Sequence, residues 1–255
     1  MKPISVQLYS LRKESEADFD GVLVRLAEIG YAGVEPFHLF GMTPRAFRAR
    51  VEGLGMRISS SHFPWANRAP LNQVVETLGE LGLTRAAGGF MPDDFKDHDA
   101  ILRTAEVTNN LVQALAAHGL TLFLHNHWWE YETIQGGGTR DLKIHLLQDL
   151  CPGVQFEVDT YWASNFGAVD VPAEVRRVAT RAPLLHIKDG PLVKDRAHVA
   201  VGSGVVDIAR IVAAADPAVL EWLIVELDAC DTDMMTAVAE SHAWLTSNGL
   251  ARGRA

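Results

Sequence analysis

Eight short runs of mostly apolar residues recur along the chain at fairly even intervals. They are ISVQLYS (4–10), AGVEPF (32–37), MRISSSH (56–62), RAAGGF (85–90), LTLFLHNH (120–127), VQFEVDTYW (154–162), PLLHIKDG (183–190) and WLIVELD (222–228). The longer stretches between them carry apolar residues at spacings of three and four, which is typical of amphipathic helices. Two such stretches end at Gly30 and Gly119, and glycine is the residue that most often ends a helix. Strand and helix therefore alternate along the whole chain.

Eight strand–helix units in 255 residues predict an α/β protein, a (β/α)8 TIM barrel that forms a single domain over residues 1–255. A doubly wound sheet is the main alternative, because it shows the same alternation. The barrel is favoured because the units are even in length and because many strands, and not only those at one crevice, end in polar residues. No dinucleotide-binding or phosphate-loop glycine pattern opens a helix. We interpret VGSGVV (201–206) as a tight turn before the last helix.

The net charge of −9 and the lack of a basic segment oppose nucleic acid and anionic membranes as partners. The apolar runs are far shorter than the roughly 20 residues of a membrane-spanning helix, and MKPISVQLYSLR lacks the pattern of a signal peptide. We therefore expect a cytoplasmic protein with a small-molecule substrate, and a homo-oligomer stays open. Cys151 and Cys230 are expected to be buried or half-buried thiols, since two cysteines do not make a disulfide framework.

The active site of a (β/α)8 barrel lies at the C-terminal ends of its strands, and in this chain those ends are polar. They carry Ser10, Glu35, His62, His125, His127, Glu130, Asp159, His186, Lys188, Glu226 and Asp228. Side chains alternate along a strand, so Glu157 shares a face with Asp159, and His186 with Lys188. Carboxylates that converge in a low-dielectric interior repel one another unless a cation binds between them.

A divalent cation would relieve this repulsion. Carboxylates and imidazoles without thiolate suit Mn, Co, Zn, Mg or Fe. Simpler interpretations stay open for each residue alone, because a strand-end carboxylate also suits a helix N-cap or a salt bridge. A buried histidine likewise suits a structural hydrogen bond. Convergence from four successive strands favours a metal site.

Six segments, in order along the chain, resemble the xylose-isomerase-like TIM-barrel superfamily, which includes sugar-phosphate isomerases and epimerases, ketose 3-epimerases and inosose dehydratases. They are VQLYSLR, HNHWWEYE, FEVDTYW, LLHIKDG, VGSGVVDI and VELD. The resemblance implies one divalent metal ion (Mn, Mg, Co or Zn) held by an acidic residue after the fifth strand and by Asp159, His186 and Glu226. The ketose 3-epimerases have Glu where this chain has His125. Glu130 is therefore the favoured ligand after the fifth strand, and His125 is the alternative.

His127 is expected to act as the catalytic base, because a neutral imidazole accepts a proton near pH 7. Lys188 is expected to stabilise an oxyanion or to act as an acid, with its pKa lowered by burial; a salt bridge to a site carboxylate is the alternative. Aromatic rings stack on the apolar faces of sugars, and polar neighbours bind the hydroxyls. The expected substrate contacts are Glu35, His62, His125, Trp128 and Trp162.

These residues are typical of a metal-dependent isomerase or epimerase that acts on a keto-sugar or cyclitol through an enediolate intermediate. Elimination shares the same first proton abstraction, so a lyase of the inosose dehydratase or 3-keto-glycoside eliminase kind is the alternative. A non-catalytic sugar-binding or partner subunit is a third hypothesis. A DNA-repair endonuclease of the same superfamily is opposed by the net charge of −9.

Overall fold

The computed structural model describes residues 1–134 and 141–254, and strands and helices alternate along them. The strands are β1 (Lys2–Gln7), β2 (Gly33–Glu35), β3 (Arg57–Ile58), β4 (Arg85–Gly88), β5 (Thr121–His125), β6 (Gln155–Asp159), β7 (Leu184–Ile187), β8 (Trp222–Val225) and β9 (Ala251–Arg252). The α-helices are α1 (Arg12–Ile29), α2 (Pro44–Gly53), α3 (Leu71–Leu81), α4 (His98–Ala116), α5 (Lys143–Leu150), α6 (Thr160–Ala163), α7 (Val171–Arg177), α8 (Ile208–Ala214) and α9 (Met234–Ser247). None of the helices in these two ranges has the length and apolar character needed to cross a membrane.

The strands form one parallel sheet with the neighbour order β3-β2-β1-β8-β7-β6-β5-β4, and β9 pairs with β1. Because β8 returns to lie beside β1, this is the cyclic order of a (β/α)8 barrel, and the predicted fold is confirmed. Within the described ranges no ladder joins β3 to β4, so the barrel is open along that seam. The eight predicted runs supply β1 to β8 in sequence order.

The third strand is shorter than its run predicts, since β3 covers only Arg57–Ile58. The backbone beyond it still follows β2, because the His62 N–H donates to the Pro36 carbonyl over 2.9 Å. Proline has no N–H to return a hydrogen bond, so the regular ladder does not continue there. The extended segment after β3 nevertheless brings His62 to the C-terminal face of the barrel.

A small apolar cluster fills the interior of the barrel, separate from the larger core between sheet and helices. It contains Ala32, Ala87, Phe123, Leu184, Trp222 and Ile224. Their neighbours along the strands, such as Leu122 and Leu223, face the helices instead, as the alternation of side chains requires. The residue two positions after Phe123, Leu184 or Ile224 faces the barrel interior as well, and at each of these three positions it is polar.

One buried carboxylate fastens the loop that follows β7. Asp189 accepts hydrogen bonds from the backbone N–H groups of Gly190, Gly202, Gly204 and Val206, at 2.8, 2.9, 3.0 and 3.1 Å. A side chain on Gly204 would collide with this carboxylate, and Gly202 has a φ of +93°, so both positions require glycine. The predicted turn thus folds back onto β7. It precedes α8 rather than the last helix, which is α9.

Replacing Asp189 by alanine is expected to lower the free energy of unfolding by about 3 kcal/mol, because four backbone N–H groups lose the one buried carboxylate that they share. Urea denaturation followed by circular dichroism measures the change. Asp149→Ala is the control, since that side chain is 70% exposed and lies 2.8 Å from Arg177. It should change the stability by less than about 0.5 kcal/mol. Equal losses in the two variants would contradict the fastening role of Asp189.

Candidate active site

Four residues from four neighbouring strands converge at the C-terminal face. His125 ends β5, Asp159 ends β6, His186 lies in β7, and Glu226 directly follows β8. All four are buried, and one ligand atom from each lies within 4.8 Å of the others. The parallel register sets them side by side, since Asp159 pairs with His186. We call this set the Asp159 group.

A second set is centred on Glu157, one inward-facing position earlier in β6. Glu157 Oε2 lies 2.5 Å from His62 Nε2, 3.1 Å from His125 Nδ1 and 3.2 Å from His186 Nε2. These four buried residues are the Glu157 group. The alternation along β6 shows that Glu157 faces inward with Asp159, but its contact with three imidazoles depends on other strands and was not predicted.

His125 and His186 belong to both groups and turn one ring nitrogen towards each. His125 Nδ1 faces Glu157, while its Nε2 lies 3.9 Å from Asp159 Oδ2. His186 Nε2 also faces Glu157, and its Nδ1 lies 2.8 Å from Glu226 Oε2. Carboxylates therefore hold both rings in orientation, which is how metal-ligating histidines are usually positioned.

Glu35, which the sequence predicted as a substrate contact, lies instead within the barrel. It is fully buried, its Oε2 lies 2.7 Å from His186 Nε2, and it accepts a hydrogen bond from Gln7 Nε2 over 2.9 Å. Burial and the neighbouring Glu157 raise the pKa of Glu35. Because β2 ends at this residue, the carboxylate meets the His186 ring and does not reach the cavity above.

Lys188 is buried among three carboxylates. Its Nζ lies 2.9 Å from Asp159 Oδ2, 2.8 Å from Glu226 Oε2 and 2.8 Å from Asp228 Oδ2. Burial alone lowers the pKa of an ammonium group, but these carboxylates outweigh burial and hold the pKa of Lys188 well above its usual value. The shift is opposite to the predicted lowering, and the salt-bridge interpretation describes the observed contacts.

Glu130 lies outside the Asp159 group, in the 3₁₀ turn Trp129–Tyr131. Its Oε2 accepts a hydrogen bond from the His127 backbone N–H over 3.0 Å, and its Oε1 lies 3.8 Å from His127 Nδ1. Burial raises the pKa of Glu130. Because β5 ends at His125 and the chain then turns away, His125 occupies the strand-five position in the group.

A cavity of about 270 Å³, the central cavity, opens beside the Asp159 group. The predicted site residues in its lining are His62, His125, His127, Trp162, Lys188 and Glu226. Tyr9, Phe37, Trp65 and Asp228 also line it, whereas Trp128 lines a neighbouring cavity. A mixture of aromatic rings with a few polar groups is suited to binding a small polar molecule such as a sugar.

The donor atoms of the Asp159 group fit a divalent cation, since two carboxylates and two imidazoles are ligands that Mn, Zn and Co accept. Asp159 Oδ2 is buried and lies 2.9 Å from Lys188 Nζ and 3.9 Å from His125 Nε2, and within the described part of the chain Glu157 Oε1 and Glu35 Oε1 are buried without a hydrogen-bond partner. Burial raises the pKa of Asp159; Lys188 offsets this in part, and Glu226 adds to it. A cation bound by Asp159 and Glu226 would relieve the crowding of these two like charges.

Fold and site together define a (β/α)8 barrel with a buried carboxylate–imidazole centre at the C-terminal ends of its strands. A profile of the xylose isomerase-like TIM barrel family matches residues 23–248, and the chain belongs to that family. This match confirms the resemblance seen in the sequence. A comparison with curated proteins finds no match.

Solved structures with this fold include sugar isomerases and epimerases. A sugar phosphate isomerase/epimerase from Parabacteroides distasonis ATCC 8503 has a TM-score of 0.80 and 23% identity, covering 98% of this chain and 96% of that one. An L-ribulose 3-epimerase has a TM-score of 0.67 and 18% identity, covering 98% and 95%. The D-psicose 3-epimerase from Clostridium cellulolyticum H10, solved with D-tagatose, has a TM-score of 0.66 and 15% identity, covering 98% and 100%. At these identities the likeness shows the fold alone.

Proposed function

We propose that this protein is a divalent-metal-dependent isomerase or epimerase that acts on a keto-sugar or cyclitol. The observation that carries the proposal is the Asp159 group beside a cavity lined by imidazoles and indole rings. His125, Asp159, His186 and Glu226 would hold the ion. When bound, Mn, Mg, Co or Zn would polarise the substrate carbonyl and acidify the neighbouring C–H bond, an effect of several kcal/mol. The isomerases and epimerases among the structures of the same fold support the proposal.

His127 is the base in this proposal. Its ring lines the central cavity, and its Nδ1 faces the Glu130 carboxylate at 3.8 Å, which leaves Nε2 to accept the proton. Stacking on Trp129, with ring centroids 4.2 Å apart, holds the plane of the imidazole. The charge of Glu130 stabilises the imidazolium that forms. A positioned base of this kind contributes about 10²–10⁴-fold to the rate.

Lys188 donates a hydrogen bond in this proposal and does not act as a base. The neighbouring carboxylates hold its pKa above the usual value. When Asp159 and Glu226 hold the ion, Asp228 still pairs with Nζ over 2.8 Å, and the N–H groups that faced the other two carboxylates would stabilise negative charge on a substrate oxygen. His62 and Trp162 line the same cavity and supply hydroxyl and stacking contacts. Return of the proton to the opposite face of the same carbon gives an epimer, and return to the neighbouring carbon gives an isomer.

Solvent-deuterium exchange tests the proposed function. Protein loaded with Mn²⁺ is incubated in D2O with a panel of D-fructose, D-psicose, D-tagatose, D-sorbose and myo-inosose, and the sugars are analysed by NMR and mass spectrometry. Deuterium is expected beside the carbonyl of at least one sugar, and protein treated with a chelator should incorporate none. A dehydrated or cleaved product would assign a lyase instead. Binding without exchange would assign a non-catalytic sugar-binding protein.

Two substitutions distinguish the candidate ligands after β5. His125→Ala is expected to raise the Kd for Mn²⁺ by at least about 100-fold. Loss of a residue that only supports a metal ligand raises the Kd by up to about this much, and loss of a ligand itself should cost no less. Glu130→Gln is expected to change this Kd by less than about threefold while it lowers kcat by about tenfold, because the His127 imidazolium loses its neighbouring charge. Calorimetric titration of metal-free protein measures both constants. The reverse order of the two Kd values would assign Glu130 as the ligand.

A further inference from the structure

A second cavity, of about 520 Å³, adjoins the central one and shares Trp162 and Asp228 with it. The central cavity, at about 270 Å³, lies below the roughly 300–1,000 Å³ of a site for a drug-sized ligand. It is therefore suited to one sugar unit. A substrate that occupied both cavities would extend across the edge that the two shared side chains form.

Three aromatic side chains form a wall in the second cavity. The Phe166 ring centre lies 5.7 Å from that of Trp128 and 6.0 Å from that of Trp162, and all three side chains are partly exposed. Phe166 has a φ of +57°, and a left-handed backbone costs a bulky residue about 1–3 kcal/mol. The chain thus keeps a strained phenylalanine between two indoles. The exposed parts of these rings offer apolar surface against which one face of a sugar ring could pack.

The charged side chains around this wall nearly balance. They are Lys194, Arg196, Asp195, Asp228 and Asp231. Burial, with a further effect of Lys188, lowers the pKa of His198 to about 4, so this lining residue is neutral at pH 7. Two cations against three carboxylates oppose an anionic ligand such as a phosphate. Donors and acceptors beside indole rings instead match the hydroxyls of a neutral sugar.

We propose that the substrate is a glycoside with two sugar rings. The keto ring occupies the central cavity, and a second, neutral ring stacks on Trp128 and Phe166 in the second cavity. The glycosidic bond crosses the shared edge, where Trp162 Nε1 donates a hydrogen bond to Asp228 Oδ2 over 3.2 Å. This inference rests on the function proposed for the central cavity and adds the class of substrate.

Binding of matched sugar pairs tests the inference. Mn²⁺-loaded protein is titrated calorimetrically with D-fructose and with keto-disaccharides that carry glucose on different hydroxyls of fructose, and then with the other panel sugars and their glucosylated counterparts. In at least one pair, we expect the disaccharide to bind at least about tenfold more tightly than the free sugar from which it is built. This difference corresponds to about 1.4 kcal/mol.

Phe166→Gly provides the decisive variant. It removes the ring, and the relief of the left-handed strain offsets part of the packing that this half-buried residue loses; circular dichroism checks that the variant is folded. The ratio of disaccharide to monosaccharide affinity should fall towards one. Phe40→Gly is the control, because Phe40 is also a half-buried phenylalanine with positive φ, +49°, but lines neither cavity. This control should keep the wild-type ratio.

Each other outcome counts against a defined part of the proposal. Equal affinities within every pair, or a ratio that survives Phe166→Gly, would overturn the two-ring substrate and leave the proposed function standing. Tighter binding of fructose 6-phosphate than of any disaccharide would overturn it in favour of an anion site at Lys194 and Arg196. If the metal-loaded protein binds none of the sugars, the proposed function fails together with this inference.

Discussion

Replacing Glu226 by glutamine is expected to abolish stable binding of the divalent ion and to lower the exchange rate by at least about 10³-fold, or about 4 kcal/mol in the activation barrier. Glu226 lies 2.8 Å from both His186 Nδ1 and Lys188 Nζ. Burial raises the pKa of Glu226, but Lys188 and His186 outweigh burial and hold it well below its usual range. The group is therefore a carboxylate at ordinary pH. Glutamine keeps its shape but removes the charge that the metal requires.

Metal content after dialysis, measured by mass spectrometry, and the deuterium-exchange rate give the two readouts. Glu221→Gln is the matched control, because it is the same substitution at a position just before β8. The Glu221 side chain is 47% exposed and pairs with Arg85. It should retain the metal and the activity. A Glu226→Gln protein with full metal content and an unchanged rate would rule out the Asp159 group as the metal centre.

Replacing Glu157 by glutamine is expected to raise the Kd for Mn²⁺ by about 10–100-fold, the range typical of a lost outer partner of ligating histidines. Glu157 Oε2 faces three imidazoles, of which His125 and His186 would ligate the ion with their opposite nitrogens. A neutral amide no longer attracts these rings on one side. His125 then loses the contact that orients it towards the Asp159 group, and His186 loses one of the two carboxylates, Glu157 and Glu35, that face its Nε2.

If Glu157 had a purely structural role, its substitution would not raise the metal Kd and yet leave the exchange rate at saturating Mn²⁺ almost unchanged. At saturating Mn²⁺ the exchange rate of Glu157→Gln should return to within about threefold of the wild-type rate, because the ligands themselves remain. Glu130→Gln is the control for removing a buried carboxylate from the same face, and it should leave the metal Kd nearly unchanged. An unaltered Kd in a folded Glu157→Gln protein would contradict its positioning role.

Local sequence patterns were sufficient to predict the barrel. Eight apolar runs that alternate with helical periodicity leave few ways to bury both faces of every strand, and a parallel sheet curled into a barrel is one of them. The convergence of the Asp159 group was predictable for the same reason. His186 and Glu226 each follow an interior apolar residue, Leu184 and Ile224, by two positions, so the period of two directs their side chains inward.

How far along the barrel axis each polar side chain lies was decided only by the tertiary structure. Alternation shows which face a side chain takes, but not how far the strand continues or which rings from other strands it meets. β5 ends at His125, so Glu130 folds back onto His127 instead of joining the Asp159 group. β2 ends at Glu35, so that carboxylate meets His186 within the barrel.

The sequence by itself therefore determined the fold, the face at which the Asp159 group lies and the residue types that meet there, because these depend on patterns within single strands. The roles within the site depend on contacts between strands distant in the chain. Glu157 contacts three imidazoles that come from three other segments of the chain. The pKa of Lys188 is raised by carboxylates from two other strand ends. Only the folded barrel brings these charges within a few ångströms of one another, and at that distance their mutual attraction exceeds the cost of burial.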